Sequence, residues 1–214
     1  MPPPLRTLSP RDLKRTSRET IAHYDENARA FWKGTKDHDV RQNVDALLRH
    51  TQGPAPLAIL DLGCGPGRDL VTFKELGHAP VGLDGSKVLA AMARKHSGCE
   101  VLEQDLLALD LPESRFSGIF ANAVLFHVPS QELPRVLRDL HRTLNPGGVL
   151  FCSNPRGPDM EGLDGDRYGC WLRLETWRQY VTEAGFTELE HFYRPTGRAI
   201  EMQPWLVTVW RKVS

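Results

Sequence analysis

The sequence has no excess of charge of either sign. Its 214 residues include 27 Lys and Arg and 27 Asp and Glu, so the formal net charge is zero. Proteins that hold long nucleic acids do so with a basic surface that displaces counterions, and no such excess of positive charge is available here. The composition therefore argues against a nucleic-acid partner and favours a small-molecule substrate.

Cysteine is also scarce, and long apolar runs are missing. The four cysteines are far apart and form no C-x-x-C pair, which argues against a zinc site or a disulfide framework. No apolar stretch approaches the ~20 residues that span a bilayer. The proline-rich start, residues 1–4, lacks the apolar core of a secretion signal. We expect a cytoplasmic protein, monomeric or homodimeric, with no metal and no membrane partner.

Two regions differ in their pattern. Residues 1–52 are predicted to form a proline-rich, loosely packed tail and two cap helices, and a Gly-Pro-Ala-Pro break separates them from a core at 53–214. In the core, short apolar strands alternate with helices, which indicates an α/β fold whose parallel sheet has helices on both faces. The predicted helices are 11–32, 40–50, 69–76, 86–96, 131–144 and 174–184, and the predicted strands are 57–62, 80–83, 99–102, 118–121, 149–153, 186–194 and 205–211. The last two strands have no helix between them and should pair antiparallel.

The run from Ala58 to Asp69, AILDLGCGPGRD, is the most informative stretch. It reads as a buried strand that meets an acid, passes through a glycine turn and enters a helix. Glycines at alternate positions allow positive φ and remove the Cβ atoms that would keep a ligand from the backbone. The unpaired N–H groups of the following helix favour a carboxylate, a ribose or a phosphate. The run predicts a nucleotide-like cofactor site at the head of the sheet.

The spacing of the acids leaves the kind of cofactor open at this point. A dinucleotide turn has the pattern G-x-G-x-x-G, whereas here the third glycine, Gly67, comes one residue early. Asp84 ends the second strand, where an acid can accept both hydroxyls of a ribose. A dinucleotide-binding enzyme would have an acid at the same place, so Asp84 alone does not identify the cofactor. Asp105 follows the third strand, within reach of an adenine amino group.

The runs ILDLGCGPGRD, GLDGS at 82–86 and LNPGGVL at 144–150 resemble the class I S-adenosylmethionine (SAM)-dependent methyltransferases, and most closely their small-molecule, type 11-like branch. The resemblance extends from about Tyr24 to the C-terminus. It implies a Rossmann-like, doubly wound, mostly parallel seven-stranded sheet that ends in an antiparallel hairpin. An NAD-dependent enzyme would need a further parallel strand and a hydride-handling residue, and neither is evident.

The resemblance also implies a cofactor, SAM, with S-adenosylhomocysteine (SAH) as its product. The glycines would line its amino-acid half, Asp84 would hold its ribose, and Asp105 with Leu106 would hold its adenine. Ala121 and Asn122 would lie beside its methionine portion. From the residues alone, Asp61 either contacts the ligand or accepts hydrogen bonds from neighbouring backbone amides. Cys64 is interpreted as a small turn residue, and Tyr24 either packs in the core or contacts the ligand. The cofactor candidates are Tyr24, Thr35, Asp61, Gly63, Cys64, Gly65, Gly67, Asp84, Gly85, Ser86, Asp105, Leu106, Ala121 and Asn122.

The acceptor site is less visible in the sequence than the cofactor site. SAM already carries the activated methyl group, so the protein mainly aligns the two reactants and excludes water. His127 follows the fourth strand, where it could take a proton from the nucleophile or make a structural hydrogen bond. A substrate-cap insert is expected near 154–173. The substrate-binding candidates are Trp32, Phe126, Arg156, Tyr168, Trp171 and Arg194.

The expected function is methyl transfer to a nitrogen, oxygen or sulfur atom of a small molecule by in-line displacement. Residues 120–124 lack the Asn/Asp-Pro-Pro-Tyr element of the family's adenine and glutamine enzymes. Two other classes stay open: a SAM-binding regulatory or inactive protein, and an NAD-dependent oxidoreductase.

Overall fold

A computed structural model describes residues 2–213, which form a seven-stranded sheet and a separate two-stranded hairpin. The helices are α1 (Pro10–Thr35), α2 (Arg41–Leu48), α3 (Arg68–Glu75), α4 (Lys87–Ser97), α5 (Leu133–Thr143) and α6 (Leu174–Glu183). The strands are β1 (Ala58–Leu62), β2 (Ala79–Asp84), β3 (Val101–Glu103), β4 (Phe116–Asn122), β5 (Leu144–Pro155), β6 (Met160–Asp164), β7 (Arg167–Trp171), β8 (Phe186–Arg194) and β9 (Trp205–Lys212).

The large sheet has the strand order β3-β2-β1-β4-β5-β9-β8. Strands β1 to β5 pair in parallel, and β9 pairs antiparallel with both β5 and β8. The predicted Rossmann-like fold class is therefore confirmed, including the terminal hairpin. The chain order reverses between β1 and β4, and this is the place where open α/β sheets bind ligands.

Alternating side chains bury both faces of the sheet. Ile59, Phe120 and Phe151 pack on one face with α2 and α3, and the rings of Phe120 and Phe151 stack with centroids 4.8 Å apart. Leu60 and Leu150 point to the opposite face, towards α5 and α6. Because both faces are covered, the central strands read as continuous apolar runs rather than alternating ones.

The N-terminal region differs from its predicted arrangement. Val44 and Leu47 of α2 are buried against the sheet beside Phe120, so α2 belongs to the helical layer of the core and α1 alone covers the carboxyl edge. The predicted loose tail is held at three points. The Leu5 amide donates to Ser130 Oγ at 2.8 Å, the Leu8 amide donates to Gln131 Oε1, and the Tyr180 hydroxyl donates to the carbonyl of Pro3. Sequence periodicity finds an amphipathic helix but does not say which surface it covers.

A second departure is the β6–β7 hairpin, which lies in the region predicted only as a substrate-cap insert near 154–173. Its turn contains Gly165 at φ 60°, and Tyr168 and Cys170 are buried while Leu163 is exposed. The amide of Tyr168 donates to Thr20 Oγ1 on α1 at 2.9 Å, so the hairpin is attached to the helix that covers the sheet edge. No helix within residues 2–213 is both long and apolar enough to cross a bilayer.

Candidate functional site

A cavity of about 650 Å³ lies at the carboxyl edge of the sheet, at the reversal between β1 and β4. Its volume falls within the ~300–1,000 Å³ typical of small-ligand and cofactor sites. The floor is formed by the turns after β1, β2 and β4, and one face of α1 lies over it. The cavity therefore combines backbone from the sheet with side chains from a separate helix.

The glycine turn follows β1 directly. Gly63 (φ +67°) and Gly65 (φ +53°) line the cavity, and a Cβ on Gly63 would lie 2.3 Å from a methyl carbon of Val124. Gly67 (φ +89°) does not line it: a Cβ there would lie 2.9 Å from Cα of Ala93 in α4. Gly63 and Gly65 place backbone without a side chain at the cavity floor, whereas Gly67 allows α3 and α4 to approach each other closely.

Asp84 is the carboxylate best placed to bind a ligand. Its Oδ2 accepts a hydrogen bond from the Gly65 amide at 2.9 Å, and its Oδ1 accepts one from the Ser86 amide at 2.9 Å. Burial raises the Asp84 pKa to about 6, while these two donors oppose the rise. Each carboxylate oxygen keeps a second lone pair that can accept a ligand hydroxyl.

The hydroxyl of Ser86 is used within the protein. It donates to Asp25 Oδ1 on α1 at 2.6 Å and accepts from the Leu89 amide at 3.0 Å, which caps α4. Asp105 has a similar double role, because its Oδ2 accepts from Ser17 Oγ of α1 at 2.6 Å and its Oδ1 from the Leu107 amide at 2.8 Å. Both residues line the cavity and also attach α1 to the sheet edge.

Asp61 lies beneath the turn rather than in the cavity wall. It is buried, and its Oδ2 has no hydrogen-bond partner within residues 2–213. Burial and then the neighbouring Asp69 raise the Asp61 pKa, and Arg68 opposes them. Cys64 does line the cavity, but burial raises its thiol pKa far above the usual range, so it is no thiolate nucleophile.

His127 and Tyr24 form a hydrogen-bonded pair in the cavity wall, and His127 also reaches the β6–β7 hairpin. His127 Nδ1 is 2.6 Å from the carbonyl oxygen of Tyr168, which can only accept, so this nitrogen carries the proton. His127 Nε2 then accepts from the Tyr24 hydroxyl at 2.9 Å. Burial lowers the His127 pKa to about 4, which keeps the ring neutral near pH 7.

Arg167 stands beside this pair. Burial raises the pKa of Tyr24, and the Arg167 guanidinium next to its hydroxyl partly offsets that rise. The same positive charge contributes to the low pKa of His127. An arginine at this place favours a negative charge on the Tyr24 oxygen and disfavours a positive one on the imidazole.

The structure brings most of the predicted cofactor candidates to the same cavity. Those that line it are Tyr24, Thr35, Gly63, Cys64, Gly65, Asp84, Gly85, Ser86, Asp105, Leu106 and Asn122. Asp61, Gly67 and Ala121 do not. Ala121 is fully buried in the sheet core because side chains alternate along β4, and the next residue, Asn122, takes the cavity side.

The substrate candidates divide evenly. Trp32, Phe126 and Arg194 line the cavity. Arg156 does not, because its Nη1 donates to the carbonyls of Ile200 and Gln203 and so holds the β8–β9 loop.

Tyr168 and Trp171 also lie away from the cavity. The Tyr168 side chain is buried, and the Trp171 ring packs against the backbone of Gly169 within the hairpin. From the predicted insert, the structure instead places Arg167, which was not among the candidates, in the cavity wall.

Three α1 residues that sequence reasoning missed are Ser17, Thr20 and Ile21. They share a helix face with Tyr24 and Phe31, at spacings of three, four and seven residues that place side chains above one another. That spacing is visible in the sequence and could have identified the face. Arg68 and Arg167 also line the cavity, but no local pattern distinguishes them from surface arginines.

Comparison with known proteins agrees with this geometry. Residues 59–148 match a protein-family model described as a methyltransferase domain. The chain is 31% identical over 169 residues to a ubiquinone biosynthesis O-methyltransferase of Dinoroseobacter shibae, covering 72% of this chain and 66% of the relative. Residues 59–148 therefore form a domain of the methyltransferase family, and the matches support a class I SAM-dependent methyltransferase.

Other members of the methyltransferase family share less of their length with this chain. It is 37% identical over 123 residues to a trans-aconitate 2-methyltransferase of Methylobacterium nodulans, covering 56% of this chain and 46% of the relative. The chain spans about half the length of the first curated relatives it matches, between 45% and 51%.

The methyltransferase fold is shared with solved structures along nearly the whole chain. A 1,6-didemethyltoxoflavin-N1-methyltransferase of Burkholderia thailandensis superposes with a TM-score of 0.78 at 23% identity, covering 98% of this chain and 92% of that one. That structure contains bound 1,6-didemethyltoxoflavin and SAH.

Proposed function

We propose that this protein transfers the methyl group of SAM to an oxygen atom of a small molecule by in-line displacement. The observation that carries the proposal is that the glycine turn with Asp84 and the Tyr24–His127 pair line one cavity. A donor site and a group able to handle a proton therefore lie together. The relative from Dinoroseobacter shibae is named an O-methyltransferase, which favours oxygen over nitrogen or sulfur.

The residues present fit SAM. Gly63 and Gly65 would accommodate its amino-acid half, Asp84 would accept its ribose hydroxyls, and Asp105 with Leu106 would border its adenine. The buried, unpartnered Oδ2 of Asp61 beneath the turn suits the positive amino group nearby. When bound, SAM supplies a methyl group activated by its sulfonium.

The protein's own part is to exclude water and to handle a proton. The lone pair of His127 Nε2 already accepts the Tyr24 hydroxyl, so the Tyr24 oxygen, rather than Nε2, would accept a proton from an acceptor in the cavity. An acceptor hydroxyl would give its proton to the Tyr24 oxygen as the Tyr24 proton moves to Nε2. Because the His127 pKa is low, this transfer suits an acidic hydroxyl.

Calorimetric titration with SAM, SAH and NAD tests the donor site. We expect SAM and SAH to bind and NAD not to bind; NAD binding without SAM binding would reject the proposal in favour of an oxidoreductase. Incubation with SAM and a metabolite extract, followed by mass spectrometry, should then reveal a product heavier by one methylene unit. SAM binding without any methylated product would instead indicate a regulatory or inactive SAM-binding protein.

Two variants separate a proton-transfer role from a structural one. Tyr24→Phe and His127→Gln should each lower kcat by about 10²-fold or more if the pair acts as a base. The loss should shrink at high pH, where the acceptor ionises on its own. A pH-independent loss, or none at all, would leave the pair with a packing role only.

A further inference from the structure

Arg194 and Trp205 border one end of the cavity. Arg194 is the last residue of β8, and Trp205 lies directly opposite it in the antiparallel ladder with β9. Directly opposed residues of an antiparallel pair place their side chains on the same face of the sheet. Both line the cavity, as does Ser153 near the end of β5. A guanidinium and an indole therefore stand side by side in its wall.

Within residues 2–213, the Arg194 guanidinium has no carboxylate partner. Its Nη2 donates to the backbone carbonyl of Asp39 at 3.2 Å, and its buried Nε–H has no hydrogen-bond partner in the described chain. The carboxylate of Asp39 is instead bound by Arg41, with Nη2 and Oδ2 2.7 Å apart. By contrast, Arg68 in the same cavity is fully engaged, with Asp69 and the carbonyl of Thr35.

A buried guanidinium donor without a partner is costly, because water no longer satisfies it and no protein group replaces the water. The same guanidinium lines the cavity, where the anionic oxygens of a ligand would neutralise its charge, and its planar fork suits a carboxylate with two parallel hydrogen bonds. Arg194 therefore offers the cavity a positive charge that an anionic ligand would pair.

The position in the sheet indicates which ligand carries that anion. Asp84 and the glycine turn belong to β2 and β1, whereas Arg194 belongs to β8, four strand positions beyond β1 in the order of the sheet. Neighbouring strands are ~4.8 Å apart, so the backbone at Arg194 lies beyond the strands that carry the glycine turn and Asp84, while its guanidinium extends towards Asp39 and Arg68. We infer that Arg194 binds a carboxylate of the acceptor substrate, whose apolar part lies against Trp205. This inference rests on the proposed function.

Probe pairs that differ only in charge test the inference. Benzoate with benzamide, and succinate with succinamide, are titrated against the SAH complex at constant ionic strength, with binding followed by ligand-observed NMR. For wild-type protein we expect at least one carboxylate to bind about tenfold more tightly than its neutral amide. Arg194→Gln should remove that preference, and Arg194→Lys should keep part of it.

Arg198→Gln is the matched control, because Arg198 is exposed in the same β8–β9 loop and does not line the cavity. It should behave as wild type, and Arg194→Gln should keep its SAH affinity within about twofold. Equal binding of acid and amide by wild type would overturn the inference. So would an Arg194→Gln protein that loses SAH affinity but keeps the carboxylate preference, since the guanidinium would then serve the cofactor. Failure of wild type to bind SAH is a separate result that rejects the proposed function itself.

Discussion

Hydrogen bonds and burial set the protonation state of single residues in this cavity. The carbonyl of Tyr168 determines which nitrogen of His127 carries the proton, and burial then holds the ring neutral. The first contact joins two residues that are 41 positions apart in the chain, and the contact of His127 with Tyr24 joins two that are 103 positions apart. The sequence identified His127 and Tyr24 separately, but it could not reveal that one is bonded to the other.

His127 should make the protein sensitive to acid. Its pKa falls from 6.5 in the unfolded chain to about 4 in the folded protein, so between these values the unfolded state binds more protons and stability falls as pH falls. From pH 7 to pH 5 the His127 contribution to the free energy of unfolding should drop by about 2 kcal/mol. Urea unfolding at both pH values measures this drop. Because His127→Gln lacks the titrating ring, its free energy of unfolding should fall by about 2 kcal/mol less than that of wild type between pH 7 and pH 5. An identical loss in the two proteins would contradict the low pKa.

Asp84 should control cofactor affinity. Removing its carboxylate in Asp84→Ala takes away the acceptor for the ribose hydroxyls and the anchor for the Gly65 amide. We expect SAH affinity to fall by more than about tenfold, or ~1.4 kcal/mol, measured by calorimetry. Asp110→Ala, which removes an exposed acid outside the cavity, is the control and should bind SAH as wild type does. Unchanged affinity in Asp84→Ala would mean that the ribose is held elsewhere.

At the scale of elements, the central sheet was predictable because its signals are local. The glycine turn, the apolar strands and the acids at strand ends each lie within a few residues of one another. The β6–β7 hairpin was missed although its Asp164-Gly165 turn is a hairpin signal, because its strands do not alternate cleanly. The positions of α2 and Arg156 depend on contacts across the fold, which local patterns do not encode.

The α3–α4 contact explains why Gly67 cannot readily be replaced. In Gly67→Ala the new methyl group would meet the backbone of Ala93 at 2.9 Å, and the positive φ of +89° would add strain. We expect a loss of about 2–4 kcal/mol in the free energy of unfolding, measured with urea.

Gly77→Ala separates these two causes. Gly77 also has a positive φ, +82°, but nothing lies within 4 Å of its Cβ position. Strain alone should cost about 1–2 kcal/mol there. If both variants lost the same stability, the close approach of α3 and α4 would not be the reason for glycine at position 67.

On the scale of the whole molecule, α1 is held mainly by polar contacts. It spans 26 residues but buries only Thr16, Thr20 and Ala28. Its attachment comes from hydrogen bonds to Ser86, Asp105, His127 and Tyr168, together with half-buried side chains such as Trp32, whose ring lies 5.0 Å from that of His96. Elements with few buried apolar contacts open at lower free energy than the core.

Hydrogen exchange should therefore divide the molecule into two parts. In the free protein we expect the amides of α1 to exchange at least about tenfold faster than those of β1 and β4, and to slow when SAH is added. Mass spectrometry of labelled peptides measures both rates. Exchange of α1 as slow as that of β4 without any ligand would show that the polar contacts hold the helix as firmly as core packing does.

Because α1 lies over both ends of the cavity, it couples the two ligands that the cavity would hold. Thr20 and Tyr24 face the acceptor side near Arg167, while Ser17 reaches the loop of Asp105 on the adenine side. The first ligand to order this helix bears the entropy cost, and the second binds to a helix that is already ordered. Such linkage is reciprocal, so each ligand raises the affinity of the other by the same factor. Positive heterotropic cooperativity between donor and acceptor then needs no change in the shape of the sheet.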